Sequence, residues 1–194
     1  MDKYITSLDL PSLKSDDEEF IINYVHENID RFNSWVNVNN FTSRIGVNVG
    51  TGFSNLPIVD EDEQRTFIDL FERNGLFFDY EDVIIVLQRS KNNIIPHTDP
   101  GRTCTLAYLV KGEAETKFYS MENFVPNINY ANAKLHTEAS YVIPQRSWYL
   151  FNHSKIHGVE NFQDSERIQI ALNLTSKFID YQDAVENWKR ILID

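Results

Sequence analysis

Cysteine is all but absent from this chain of 194 residues: Cys104 stands alone. A lone cysteine closes no intramolecular disulfide and builds no thiolate zinc cluster, which excludes a disulfide-stapled scaffold and fits a reducing compartment. Long hydrophobic runs are missing too. No stretch approaches the roughly 18 consecutive apolar residues of a membrane-spanning helix. The opening MDKYITSLDL has neither the basic nor the apolar segment of a secretory leader, so a cytoplasmic location without membrane contact is expected. Positive charge is scarce. Lys and Arg number 18 against 29 Asp and Glu, a formal charge of −11, and the cations are scattered. Wrapping a phosphate backbone requires clustered cations, so nucleic acid is not an expected partner, whereas a small molecule or a peptide is. Repeats, low-complexity tracts and long linkers are also lacking. The length suits one domain, residues 1–194, with a sizeable core.

Two helices are predicted near the start. SDDEEFIINYVHENIDRFN sets Phe20, Tyr24, Val25, Ile29 and Phe32 on one stripe, with Ser15 and Glu18 at the spacing of a capping box. DEDEQRTFIDLFERNG begins near Asp60, is acidic in its first turn, presents Phe67, Leu70 and Phe71, and meets a stop at Gly75. Between them VNVNNFTSRIGVNVGTGFSNLP reads as short strand and loop. From Val83 the texture turns to short β-rich runs: VIIVLQR, TCTLAYLV, TKFYS, SYVIP, SWYLFN and RIQIALNLT. DYQDAVENWKRILI predicts a closing helix over 180–193. A helical part over 1–80 followed by strands over 83–175 excludes a doubly wound sheet and predicts a mainly β fold with flanking α-helices, a jelly roll. In the last strand Ile168, Ile170, Leu172 and Leu174 share a face that wants a helical cover. Arg167, Gln169, Ala171 and Asn173 share the other, which suits a polar cavity.

IIPHTDPGR places His97 two residues before Asp99 at a strand end, where imidazole and carboxylate share a face and can reach one ion. Chance supplies about 0.4 His-x-Asp tripeptides in a chain of this composition, so the motif alone is weak, and a hydrogen-bonded histidine in a turn is its plain alternative. HTE at 136–138 is chemically equivalent, and His153 and His157 follow in FNHSKIHGVE. A third ligand must converge from a distant strand. His157 lies 60 residues past His97, room for several strands, but only 21 past His136, room for about one hairpin; HTE is therefore expected at the surface. His153 reads as a loop histidine or a neighbour of the ligands. Two neutral imidazoles and one carboxylate on one face of Fe(II) leave positions open for oxygen chemistry, and the His-Glu-x-x-His spacing of zinc hydrolases is absent. Arg167 falls ten residues past His157 on the cavity side of its strand. A buried guanidinium demands an anion, and its planar fork suits a carboxylate. A dicarboxylate that chelates iron at one end and meets Arg167 at the other, such as 2-oxoglutarate, satisfies both demands.

With HTD at 97–99, HGV at 157–159 and Arg167, the chain resembles the Fe(II)- and 2-oxoglutarate-dependent dioxygenases over roughly Val83 to Thr175. Within them it is most similar to prolyl-hydroxylase-like and related small bacterial or phage oxygenases. The resemblance implies a double-stranded β-helix of cupin-like form, with Fe(II) held by His97, Asp99 and His157 as the catalytic set. It implies 2-oxoglutarate seated against Arg167, and O2 as second cosubstrate. The implied reaction hydroxylates an unactivated C–H bond of a peptidyl proline, a free amino acid or a related metabolite, releasing succinate and CO2. Collagen-type prolyl hydroxylases carry Lys where Arg167 stands and oxygen-sensing ones carry Arg, which leaves the subfamily open. Nucleobase demethylases have a second arginine where this chain has Asn173, and halogenating relatives replace the aspartate that is Asp99 here. Gln88 is a candidate partner of 2-oxoglutarate or a core-edge glutamine. Arg102 and Tyr108 are candidates to face substrate, or else solvent and core. The runs FF at 77–78 and WYLF at 148–151 read as core. Two rivals are a non-catalytic jelly-roll binding module and a cupin oxygenase without 2-oxoglutarate; the latter's two closely spaced histidines and downstream glutamate are absent.

Overall fold

A computed structural model describes residues 2–32, 53–81, 83–91, 93–99, 102–121, 134–160, 166–174 and 176–193. Of the stretch 36–57 expected as short strand and loop, residues 36–52 lie outside the described residues, as do the Pro100–Gly101 turn and the turn at 161–165.

Helix α1 runs Ser15–Glu27, with Lys14 in the extended cap position and no side-chain cap. The expected capping box does not form, because Glu18 has a stronger use: its carboxylate accepts the Tyr108 hydroxyl at 2.5 Å and pairs with Arg146. Helix α2, Glu61–Glu72, is capped as its sequence suggests, Asp60 accepting from the amides of Asp62 and Glu63. Gly75, at φ +76, ends it. Phe67, Leu70 and Phe71 are fully buried, each contributing on the order of 1.5–3 kcal/mol relative to exposure. The closing helix is shorter than expected: α3 spans Tyr181–Asn187, and Trp188–Ile191 tightens into a 3-10 turn. Among the described residues no helix is long and apolar enough to cross a membrane.

The strands are β1 (Ile5–Leu8), β2 (Phe53–Pro57), β3 (Ile84–Ser90), β4 (Ile94–His97), β5 (Cys104–Lys111), β6 (Glu115–Ser120), β7 (His136–Val142), β8 (Trp148–Asn152), β9 (Ile156–Glu160) and β10 (Arg167–Asn173). They form a six-stranded sheet in the order β1-β8-β5-β10-β3-β2 and a four-stranded sheet in the order β4-β9-β6-β7. Every pairing is antiparallel. From β3 onward the chain passes repeatedly between the two sheets, which makes the fold a double-stranded β-helix, a cupin-like jelly roll with flanking helices. The N-terminal part is more than a helical cap, since β1 and β2 supply both edges of the larger sheet.

Strand alternation divides the larger sheet into two faces. Ile168, Ile170, Leu172 and Leu174 join Leu106, Tyr108, Trp148 and Leu150 beneath the helices, packed on Ile21, Val25, Phe67 and Phe71. The opposite face, with Ala107, Leu109, Tyr149, Phe151 and Ala171, meets Phe118 of the smaller sheet in a second apolar layer. A cavity opens in the same inter-sheet space.

Candidate metal centre and its cavity

Strand β4 forms an edge of the smaller sheet, the one place where Pro96, lacking an N–H, costs no ladder bond. The strand pairs antiparallel with β9 so that His97 lies opposite His157. Their ring centroids are 4.5 Å apart. The chain then turns: the Asp99 amide donates to the His153 carbonyl at 3.4 Å and the Arg102 amide to the Asp99 carbonyl at 3.2 Å. This swings the Asp99 carboxylate to 3.9 Å from His97 Nε2 and 3.4 Å from His157 Nε2. One donor atom from each of His97, Asp99 and His157 lies within 4.8 Å of the others, a grouping that could hold a metal ion.

The orientation of His157 follows from its other nitrogen. Nδ1 donates to the Lys155 carbonyl at 2.9 Å, which leaves Nε2, facing Asp99 at 3.4 Å, as the nitrogen that would meet an ion. His153 is no ligand of this group; its Nδ1 meets Asp99 Oδ2, and its ring packs against Phe151 at 4.8 Å. Burial alone would raise the Asp99 carboxyl, but His153, His157 and His97 around it hold it well below the usual carboxylate range. The carboxylate is thus ionised and ready to act as a ligand.

Arg167 opens β10 across the cavity and is 6% exposed. It donates from Nη2 to the Tyr149 hydroxyl at 3.1 Å, the hydroxyl donates to Gln169 Oε1 at 2.7 Å, and Gln169 Nε2 donates to Gln88 Oε1. Gln169 and Gln88 are cross-strand partners, so this relay follows directly from the register. Small residues at Ala107 and Ala171, opposite one another on β5 and β10, leave the Tyr149 ring room beside them. Among the described residues no carboxylate pairs with Arg167. Thr116 Oγ1, also lining the cavity, is buried without a hydrogen-bond partner. A buried cation and an orphaned hydroxyl facing one space fit an anionic, oxygen-rich group such as 2-oxoglutarate.

The cavity also collects Gln88 and Arg102. Tyr108 it does not: that ring is fully buried on the helical face, its hydroxyl donating to Glu18 and accepting from the Leu13 amide at 3.1 Å. The substrate reading of Tyr108 is therefore withdrawn. Its alternation with Leu106 and Val110 already signalled the apolar face. Tyr149 and Thr116 are the cavity residues that motif reasoning missed, although the same alternation in SWYLFN separates Tyr149 and Phe151 from Trp148 and Leu150. His136 and Glu138 lie exposed on β7, where Glu138 pairs with Lys3 at 2.9 Å.

No protein-family model matches the chain, and no curated protein matches it. Among solved structures it is similar to the non-heme alpha-ketoglutarate-dependent epimerase SnoN from nogalamycin biosynthesis, with TM-score 0.46 and 10% identity over 84% of this chain and 75% of that one. It is similar to a vicilin from Corylus avellana, TM-score 0.39 and 10% identity, over 66% of this chain and 30% of the vicilin. It is also similar to oxalate decarboxylase from Bacillus subtilis, TM-score 0.38 and 12% identity, over 63% of this chain and 25% of the decarboxylase.

Proposed function

We propose that the protein is an Fe(II)- and 2-oxoglutarate-dependent oxygenase that hydroxylates an unactivated C–H bond of an amino-acid-type substrate. The observation that carries this reading is the buried guanidinium of Arg167, without a carboxylate partner among the described residues, on the same cavity as the His97, Asp99 and His157 donors. Either feature alone has other uses; together they ask for a ligand with a metal-binding end and a carboxylate end.

His97, Asp99 and His157 would hold the ion, two neutral imidazoles and a carboxylate being a donor set suited to Fe(II) with positions left open. With 2-oxoglutarate and O2 bound, iron would supply the oxidising power: one oxygen atom enters the substrate C–H bond and the other enters succinate, with CO2 released. The protein's part is positional. The Lys155 carbonyl holds His157 with Nε2 toward Asp99, and His153 orients Asp99. Arg167, braced by Tyr149, Gln169 and Gln88, would receive the distal carboxylate, and Thr116 offers a hydroxyl to the same cavity. Ile94, Phe151 and Val159 line the remaining walls with apolar surface that excludes water. Asp99 occupies the position a halide would need, so hydroxylation is the expected outcome.

Anaerobic titration with Fe(II) and 2-oxoglutarate tests the reading through the weak visible metal-to-ligand band. The wild-type protein is expected to develop it and Asp99→Ala to lack it; a wild-type protein without the band refutes the assignment. Mass spectrometry with an amino-acid and proline-peptide panel, chloride present, should show +16 products without chlorinated ones. Methylated oligonucleotides should remain unchanged.

A further inference from the structure

The arginines of this chain divide by partner. Arg31, Arg65, Arg73, Arg89 and Arg146 each face a carboxylate, Glu63, Asp69, Asp17, Glu166 and Glu18 respectively. In a protein where 29 acidic residues outnumber 18 basic ones, that is the expected fate of a guanidinium. Among the described arginines the exceptions are Arg190, exposed on the closing 3-10 turn, and the two that line the cavity, Arg167 and Arg102. Arg102 is partly buried, and among the described residues no acceptor meets its guanidinium. Its position is set by backbone, since its amide closes the turn onto the Asp99 carbonyl at 3.2 Å. It therefore stands three residues from one of the candidate metal donors, on β5's approach, while Arg167 stands at the start of β10.

Two guanidinium groups on one cavity, neither with a carboxylate partner among the described residues, call for two anions. One dicarboxylate cosubstrate accounts for Arg167. We propose that Arg102 receives a second carboxylate, that of the substrate itself, so that the enzyme acts on a free amino acid or another small carboxylic acid and not on a residue inside a polypeptide. This rests on the oxygenase reading above. An internal peptide residue has neutral amides where a free amino acid has a carboxylate. It would leave Arg102 unpaired as the cavity loses water, whereas a carboxylate offers the planar fork two parallel acceptors. Arg102 is partly buried, less deeply than Arg167.

The test uses the full chain, saturated with 2-oxoglutarate so that Arg167 is occupied, and two matched probe sets: free L-amino acids and their carboxamides. Saturation-transfer NMR on metal-free protein reads binding, and succinate release with Fe(II) reads stimulation. At least one free acid should bind and stimulate, with its carboxamide weaker by roughly 10- to 100-fold, the range of a charged hydrogen bond. Arg102→Ala should erase the preference for acid over amide, and Arg102→Lys should restore part of it. Carboxamides binding as well as acids, an undiminished preference in Arg102→Ala, or no free acid binding at all would each overturn the proposal. A wild-type protein without the Fe(II)–2-oxoglutarate band sinks the oxygenase reading beneath it, whereas the band together with any of those three results sinks only the carboxylate assignment.

Discussion

HTD at 97–99 and HTE at 136–138 sit at opposite edges of the same four-stranded sheet, and almost nothing in their own chemistry separates them. Their surroundings do. His97 faces His157 across the β4–β9 pair and looks into the space between the sheets, whereas His136 faces Ser120 across β6–β7. Asp99 has three imidazoles about it; Glu138 has Lys3 and the Tyr4 hydroxyl at the surface. The difference teaches that enclosure by a second sheet, more than the tripeptide, makes a candidate site, because only enclosure brings a third donor, a low-dielectric setting and a distant counter-charge together.

The comparison is broken most completely by removing a ligand. Asp99→Ala or His157→Ala should weaken Fe(II) binding by about 100-fold or more, beyond the usual loss for a mere neighbour of a ligand, as read by metal competition. Enclosure itself is attacked by Gly112→Ala. Gly112 holds φ +80, and a Cβ there would lie 2.1 Å from the Glu166 carbonyl and 2.9 Å from the Arg167 Cα. Backbone strain and overlap together should cost on the order of 3 kcal/mol, a melting-temperature drop of roughly 6–12 °C, and displace Arg167 as well.

The anchor beside Arg167 sharpens the same point through pH. Burial alone would raise the Glu166 carboxyl, but hydrogen bonds from Lys111, His26 and Arg89 hold it down at about 2. A carboxyl depressed on folding adds stability that is full above its unfolded value near 4.3 and is lost as pH falls toward 2. The contribution is on the order of 2–3 kcal/mol, and urea midpoints between pH 6 and pH 3 should fall less steeply in Glu166→Gln than in the wild type. Arg167→Ala should weaken 2-oxoglutarate binding by about 1.5–3 kcal/mol while Fe(II) binding persists; unchanged cosubstrate affinity would reassign Arg167 to structure. The other edge supplies the smallest effects. His136→Ala and Glu138→Ala should leave metal binding intact and shift stability by less than about 1 kcal/mol.

Much of this contrast was legible in the chain. The 60-residue separation of His97 from His157, the phase of Arg167 and the apolar face of Ile168, Ile170 and Leu172 are all periodicity or spacing, which a sequence displays openly. Strands β1 and β9 were not legible, and β4 was read only through its end at His97. Each is four or five residues, β4 contains Pro96 and β9 contains Gly158, and what stabilises them is pairing with distant partners. Glu18 shows the same limit at a helix start: Ser15 and Glu18 have the local spacing of a cap, yet Tyr108, 90 residues away, takes the carboxylate. The Tyr149–Gln169–Gln88 relay depends on strand order, which no local pattern announces.

The two ends of the cavity belong to different sheets, the metal-side donors His97 and His157 to the smaller and Arg167 to the larger. The span available to a bridging ligand is therefore set by how far apart Phe118, Phe151 and Leu109 prop the sheets, about 10 Å in such packings. These apolar side chains would act as a calliper for the proposed cosubstrate. Trimming Phe118 would let the jaws close or tilt, and preference among dicarboxylates should shift along the homologous series from the four-carbon to the six-carbon 2-oxo acid. A hydrocarbon layer would then set the chain length of the proposed cosubstrate.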